Sequence, residues 1–204
     1  MSRVLLRNAV LLDPEARRPE PGSLLLEGGR IRDRLPADPP APVAAAAIDL
    51  RGRSVAPGFI DLHFHGSLIF APPKGYAAAL ARDSESLARH GTTAFLVTSV
   101  AWPAKTLANA MTQLASIMTQ SDLPGAVPIG IHLEGPWISS EALGAQPGEA
   151  VRDYDPREGR DVLDRGEGLI RMVTLAPEVG GVRKLLAELE RRGIVPALGH
   201  SAAD

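Results

Sequence analysis

The sequence predicts an α/β protein built on a parallel sheet and preceded by a small all-β piece. Two observations carry that expectation. From Val55 onward, short apolar runs alternate with amphipathic helical stretches, at a spacing that fits strand–helix–strand units of about 30 or more residues. Several of these runs are continuously apolar, as parallel strands covered on both faces should be. A parallel barrel and a doubly wound sheet both satisfy this grammar.

The first fifty residues read as short strands at positions 4–12, 23–26, 30–34 and 46–50, with Gly28-Gly29 turning the chain between the second and third. The Pro/Ala-rich run over 36–47 reads as a loop between strands. Residues 1–53 are therefore expected to form the all-β piece and residues 54–204 the α/β part. In the second part, strands are expected at 58–63, 94–99, 127–133, 170–175 and 194–198. Helices fall between them. The stretch 76–90 ends at Gly91 as a helix C-terminus would, 103–120 sets Leu107, Met111, Leu114 and Met118 on one face, and 182–192 ends at Gly193.

Composition narrows the chemistry. A formal charge of −2 gives no basic field to gather phosphate backbones, so nucleic acid is not an expected partner. With no cysteine, a metal could be held by histidine and carboxylate but not by thiolate. Arg3 and Arg7 interrupt the N-terminal apolar run, and no stretch has membrane-spanning length, so the cytoplasm is the expected location and no membrane partner is expected.

Of five histidines, His63, His65, His132 and His200 fall at or near the C-terminal ends of predicted strands, the face where βα barrels place their sites. Alternation along a strand puts Asp61, His63 and His65 on one side and Leu62 and Phe64 on the other. A lone strand histidine is more often a satisfied core residue, but a His-x-His pair at a strand end, followed by Gly66, favours a metal. His132 and Glu134 repeat the arrangement on the third of these strands, where Gly135-Pro136 ends the strand and leaves the carboxylate at the rim; a salt-bridged or capping glutamate is an equally good reading of Glu134 alone. His200 is similarly ambiguous by itself, and His90, in the last turn of a helix, reads as structural. Three strand ends each offering a ligand atom are what a barrel-mouth metal site requires.

The stretch Ala56-Pro57-Gly58-Phe59-Ile60-Asp61-Leu62-His63-Phe64-His65-Gly66 resembles the first-strand signature of the amidohydrolase superfamily. Gly91-Thr92-Thr93, His132-Leu133-Glu134-Gly135-Pro136-Trp137, Thr174-Leu175-Ala176-Pro177-Glu178 and Leu198-Gly199-His200-Ser201 narrow the resemblance to its N-acetylglucosamine-6-phosphate deacetylase family. That resemblance implies an incomplete (β/α)8 TIM-like barrel of about the first five strands, preceded by a small β-sandwich-type domain. It further implies hydrolysis of an N-acetyl group to an amine and acetate, with an amino-sugar phosphate as substrate. A divalent cation (zinc, iron, manganese or cobalt) is implied with Glu134 and His200 as ligands, and His63 and His65 as contributors to a second metal position in some members. A homodimer is implied for the complete enzyme.

Two departures from the family pattern stand out. The family's acid/base aspartate and another metal-binding histidine belong to later strands, so at 204 residues, against the ~250 of a complete barrel, the chain is expected to be a fragment or truncated product, inactive as it stands. Where the family carries Lys-Gly-Ala-His, this sequence reads Leu143-Gly144-Ala145-Gln146, so Gly144, Ala145 and Gln146 are the candidate substrate contacts, with a neutral amide in place of an imidazole. Competing readings are a dihydroorotase-like or hydantoinase-like cyclic amide hydrolase and a non-catalytic sugar-phosphate-binding remnant.

Overall fold

The computed structural model describes residues 3–16, 18–39, 46–70 and 73–204. Contacts divide the chain into two compact units, Met1–Gly58 and Phe59–Asp204.

The first unit is a mixed five-stranded sheet. Strands β1 (Arg3–Leu11), β2 (Glu20–Glu27) and β3 (Arg30–Leu35) form an antiparallel meander, and β4 (Ala46–Asp49) and β5 (Ser54–Val55) both pair parallel to β1. The β2–β3 turn uses Gly28 and Gly29, both at positive φ, where glycine meets no Cβ penalty. Leu11, Leu24 and Ala9 form its buried centre. The expected loop over 36–47 gives way to strand at Ala46, because Ala46 and Ala47 pair with Val4 and Leu5; positions 40–45 lie outside the described residues. The described residues supply one sheet of the expected sandwich-type piece. Ser54 and Val55 belong to this unit because they pair with Val10 and Leu11.

The second unit is a curled, all-parallel sheet with helices on its outer face, half of a barrel. Its elements follow in strict alternation: β6 (Phe59–Phe64), α1 (Tyr76–Arg89), β7 (Thr92–Thr98), α2 (Ala104–Gln120), β8 (Val127–Glu134), α3 (Pro156–Arg165), β9 (Ile170–Leu175), α4 (Val182–Arg192) and β10 (Val195–Leu198), and the sheet keeps that order. Leu80 and Leu87 of α1, Leu107, Met111 and Leu114 of α2, Val162 of α3, and Leu185 and Leu189 of α4 close over Phe95, Ile131, Leu133, Val173 and Leu175 in one continuous core. All five expected parallel strands and the three expected helices are present within one or two residues at most ends.

Apolar periodicity does not predict α3, although the sequence carries its start signal. Asp155 caps it by accepting from the backbone N–H of Arg157 and Glu158, and Pro156 occupies the first turn, where its missing donor costs nothing. Its short, strongly charged run PREGRDVLDR offers few apolar positions, of which Val162 and Leu163 are buried. Among the described residues no helix is long and apolar enough to cross a membrane.

Candidate metal centre

The C-terminal ends of β6, β8 and β10 deliver the chemistry to one point. His63, His65 and Glu134 form a group whose ligand atoms all lie within 4.8 Å of one another. Glu134 is nearly buried, and its two oxygens are ringed by nitrogens. Oε1 lies 3.0 Å from His200 Nε2 and 3.3 Å from His63 Nε2. Oε2 lies 3.0 Å from His65 Nε2 and also accepts from the Gln146 amide.

A bulge explains how β6 presents both imidazoles. Pairing with β7 runs Asp61 to Phe95 and then Phe64 to Val97, leaving one extra residue on β6 between those points. Such bulges re-aim side chains at the rims of barrels. Strict alternation is therefore broken: Asp61 turns its carboxylate to accept from the backbone N–H of His63 at 3.0 Å, while His63 and His65 converge with Nε2 atoms 3.1 Å apart. Phe64 points away from them and packs edge-on against Phe95. Leu62, expected to pack, is about half exposed. Gly66, at positive φ, follows at once, and a Cβ there would strike Asp83, whose carboxylate holds the turn by accepting from the N–H and hydroxyl of Ser67.

The hydrogen bonds also fix the histidine tautomers. A backbone carbonyl can only accept, so His65 donates from Nδ1 to Thr98 O at 3.2 Å, and His200 donates from Nδ1 to Ala142 O at 2.9 Å. Each then turns Nε2, the free lone pair of its neutral form, toward Glu134. Anchoring one ring nitrogen on a carbonyl so that the other is available is the usual arrangement around metal-ligating histidines. The donor set therefore fits a divalent cation: one carboxylate and imidazole nitrogens separated by 3.0–3.3 Å, close to the roughly 3.4 Å between tetrahedral ligands placed about 2.1 Å from an ion.

The clustered groups shift one another's titration. Burial pushes the Glu134 carboxyl up, but hydrogen bonds from His65 and His200 and the nearby imidazoles overcome it and hold it down at about 2. The Glu134 hydrogen bond raises His65 above its usual value against the opposing effect of burial. His132 goes the other way, lowered to about 4 by burial and by the neighbouring His63.

His132 thus has a different place from the one its spacing suggested. Both of its nitrogens are engaged, Nδ1–H with Leu62 O at 3.1 Å and Nε2 with the Thr174 hydroxyl at 2.8 Å. It stands outside the ligand group and ties β6 to β9 across the inside of the curl. Gln146 is buried, not free at the surface: its Oε1 accepts from Ala101 N–H at 2.7 Å, which fixes its NH2 toward Glu134. Gly144 and Ala145 are exposed, and Gly144, at positive φ, approaches His200 so closely that a Cβ would lie 3.2 Å from its ring. His90 is occupied locally, with Nδ1 on Ser86 O at 2.8 Å. The sequence reading missed Thr98, whose carbonyl orients His65 and whose hydroxyl accepts from Phe64 N–H, and Thr174. Both are threonines at the C-terminal ends of strands that it had already placed.

A parallel half-barrel with histidine and glutamate on its C-terminal rim defines a class of metal-assisted hydrolase, and the chain belongs to the amidohydrolase family, whose model matches residues 54–193. Within that family its relatives include deacetylases of N-acetylated amino-sugar phosphates, among them an Escherichia coli N-acetylgalactosamine-6-phosphate deacetylase, 30% identical over 79% of this chain and 43% of that protein. The human N-acetylglucosamine-6-phosphate deacetylase is 36% identical over 168 residues, covering 79% of this chain and 40% of that protein. The crystal structure of the Pasteurella multocida N-acetylglucosamine-6-phosphate deacetylase superposes with a TM-score of 0.83 at 28% identity, over 98% of this chain and 52% of that one. A Mycobacterium smegmatis N-acetyl-D-glucosamine-6-phosphate deacetylase mutant, solved in complex with N-acetyl-D-glucosamine-6-phosphate, superposes at 0.80 with 34% identity over 100% and 51%. The chain spans about half the length of these solved structures and less than half of the human protein.

Proposed function

We propose that this chain supplies the metal-binding part of an amide hydrolase that removes the N-acetyl group of N-acetylglucosamine 6-phosphate, giving glucosamine 6-phosphate and acetate. The observation that carries the reading is the convergence of His63, His65 and His200 on Glu134, on three strand ends of one sheet. Glu134, His200, His63 and His65 would hold the cation, with zinc, iron, manganese and cobalt all suited to such a donor set. A divalent cation bound there supplies Lewis acidity toward an amide carbonyl and toward attacking water.

The chain's own residues prepare that chemistry. Thr98 O and Ala142 O keep the Nε2 lone pairs of His65 and His200 on the site. Gln146 holds one Glu134 oxygen and so fixes the carboxylate plane. Gly144, which approaches His200, and the exposed Ala145 are proposed as the segment that contacts the substrate, with Gln146 behind them bonded to Glu134. Cyclic amide hydrolysis on the same scaffold is the second reading, favoured by the His63/His65 pair alone. A cytoplasmic, homodimeric enzyme is the setting in keeping with the proposed sugar-phosphate substrate.

Joining residues 1–204 to the C-terminal half of the Pasteurella multocida relative, and assaying the cobalt-loaded fusion, tests the substrate. Acetate release from N-acetylglucosamine 6-phosphate that disappears with Glu134→Ala supports the reading. Ring opening of a cyclic amide without acetate release overturns it.

A further inference from the structure

His200 is a non-glycine residue at φ 52°, in the left-handed region. For an ordinary side chain that conformation is strained and persists where the surroundings over-determine it. Three contacts bear on it directly: its carbonyl accepts from Ser139 N–H at 2.9 Å, its Nδ1–H donates to Ala142 O, and the preceding Gly199 N–H donates to Leu175 O at 3.2 Å. A fourth contact comes from the other side. Glu178, in the turn between β9 and α4, accepts from the Ser201 hydroxyl at 2.8 Å and from Ala202 N–H at 2.7 Å, one with each carboxylate oxygen. Ser201 in turn accepts from Ala203 N–H at 3.0 Å.

Glu178 is exposed and belongs to no core cluster. Both of its oxygens face the two residues that follow His200, the Ser139 side chain lies against the same carboxylate, and a carboxylate bonding two donors holds them more strongly than a neutral acceptor would. We propose that Glu178 is a positioning residue: it clamps the chain after His200 so that the strained backbone keeps Nε2 on the metal site. The clamp couples the β9 rim to the ligand that follows β10, one of the two edge strands of the sheet. This rests on the reading of His200 as a metal ligand, and the test separates the two.

The experiment compares the wild-type chain, Glu178→Ala and Glu178→Gln by backbone amide hydrogen exchange and by cobalt titration. Glu178→Ala should lose protection at Ser139 N–H, which bonds the His200 carbonyl, while Gly135 N–H, bonded to Thr174 O on the same rim, stays protected. Cobalt affinity should fall about tenfold, as when an outer partner of a metal ligand is removed. Glu178→Gln, with one carbonyl oxygen left to accept, should recover part of both. Unchanged Ser139 protection overturns the clamp, whether or not cobalt binds. Lost protection with unchanged cobalt affinity also overturns it, since the turn would then matter to the fold and not to the ligand. A wild-type chain that binds no cobalt contradicts the ligand reading of His200, and the exchange data still decide the clamp.

Discussion

The central strands and the edge strands of the half-barrel are written in the same apolar alphabet but differ in cover, although Val127 and Ile129 at the start of central β8 are exposed too. On β7, β8 and β9, Phe95, Ile131, Leu133, Val173 and Leu175 are buried beneath α1 to α4. On β6 and β10, at the two edges, Phe59 and Leu198 are 72% exposed and Ile60 is 61% exposed. Composition therefore encodes that a strand belongs inside a parallel sheet; cover depends on what lies beside it. The metal site straddles the difference, because Glu134 ends a central strand while His63, His65 and His200 hang on the edges.

The largest effect should come from the centre. Ile131→Ala removes a side chain buried in the continuous core and should cost about 2–5 kcal/mol in urea unfolding. A loss below 1 kcal/mol would mean that the central strands are no better held than the edges.

Acid comes next, through His132. Its folded value of about 4 lies below the ordinary 6.5, so the unfolded chain takes up a proton that the folded one refuses. Stability should then fall between pH 6.5 and 4 and level off below, by up to roughly 3 kcal/mol. His65 is raised, mainly by the Glu134 hydrogen bond, so its contribution is fully present below its ordinary value and is lost as pH rises through the folded one. Comparing urea midpoints at pH 7 and 4.5 in the wild type and in His132→Asn isolates the His132 part. An equal drop in both would show that His132 is not the group responsible.

Smaller again is His63→Ala, which takes one ligand from an edge strand and leaves Glu134 with its other partners. Metal affinity by calorimetry should weaken about 10–100-fold while the unfolding midpoint of the metal-free chain stays in place. Smallest is Ile60→Ser, on the exposed face of β6, within about 0.5 kcal/mol of wild type. A cost comparable with Ile131→Ala would show that the edge is covered after all.

Much of this contrast was legible in the sequence, and its limits have physical causes. Continuous apolar runs located β7 to β10, and Gly91 and Gly193 marked helix ends, because backbone constraints act locally. α3 escaped because a helix packed by few apolar residues leaves almost no periodic signal. At the site, the His-x-His pair and Glu134 announced themselves by residue type and strand-end position. Alternation misplaced Asp61, since a single bulged residue resets the two-residue period, and that bulge is set by pairing with β7, 34 residues away at Phe64–Thr98. His132 shares a motif with Glu134 yet faces Leu62 O and Thr174, contacts that only the curl of the sheet creates. Gln146 stood out as a departure from a familiar pattern, while its hold on Glu134 depends on Ala101, 45 residues earlier.

The central claim is that edge and centre together make one cation site. Its most direct test is the divalent-metal content of the purified chain after loading with cobalt or zinc and exhaustive dialysis, beside the double variant His63→Ala, Glu134→Ala. Bound metal is expected in the wild type and its loss in the double variant, with both proteins unfolding cooperatively. Equal metal content in the two would contradict it and leave these histidines a purely structural role.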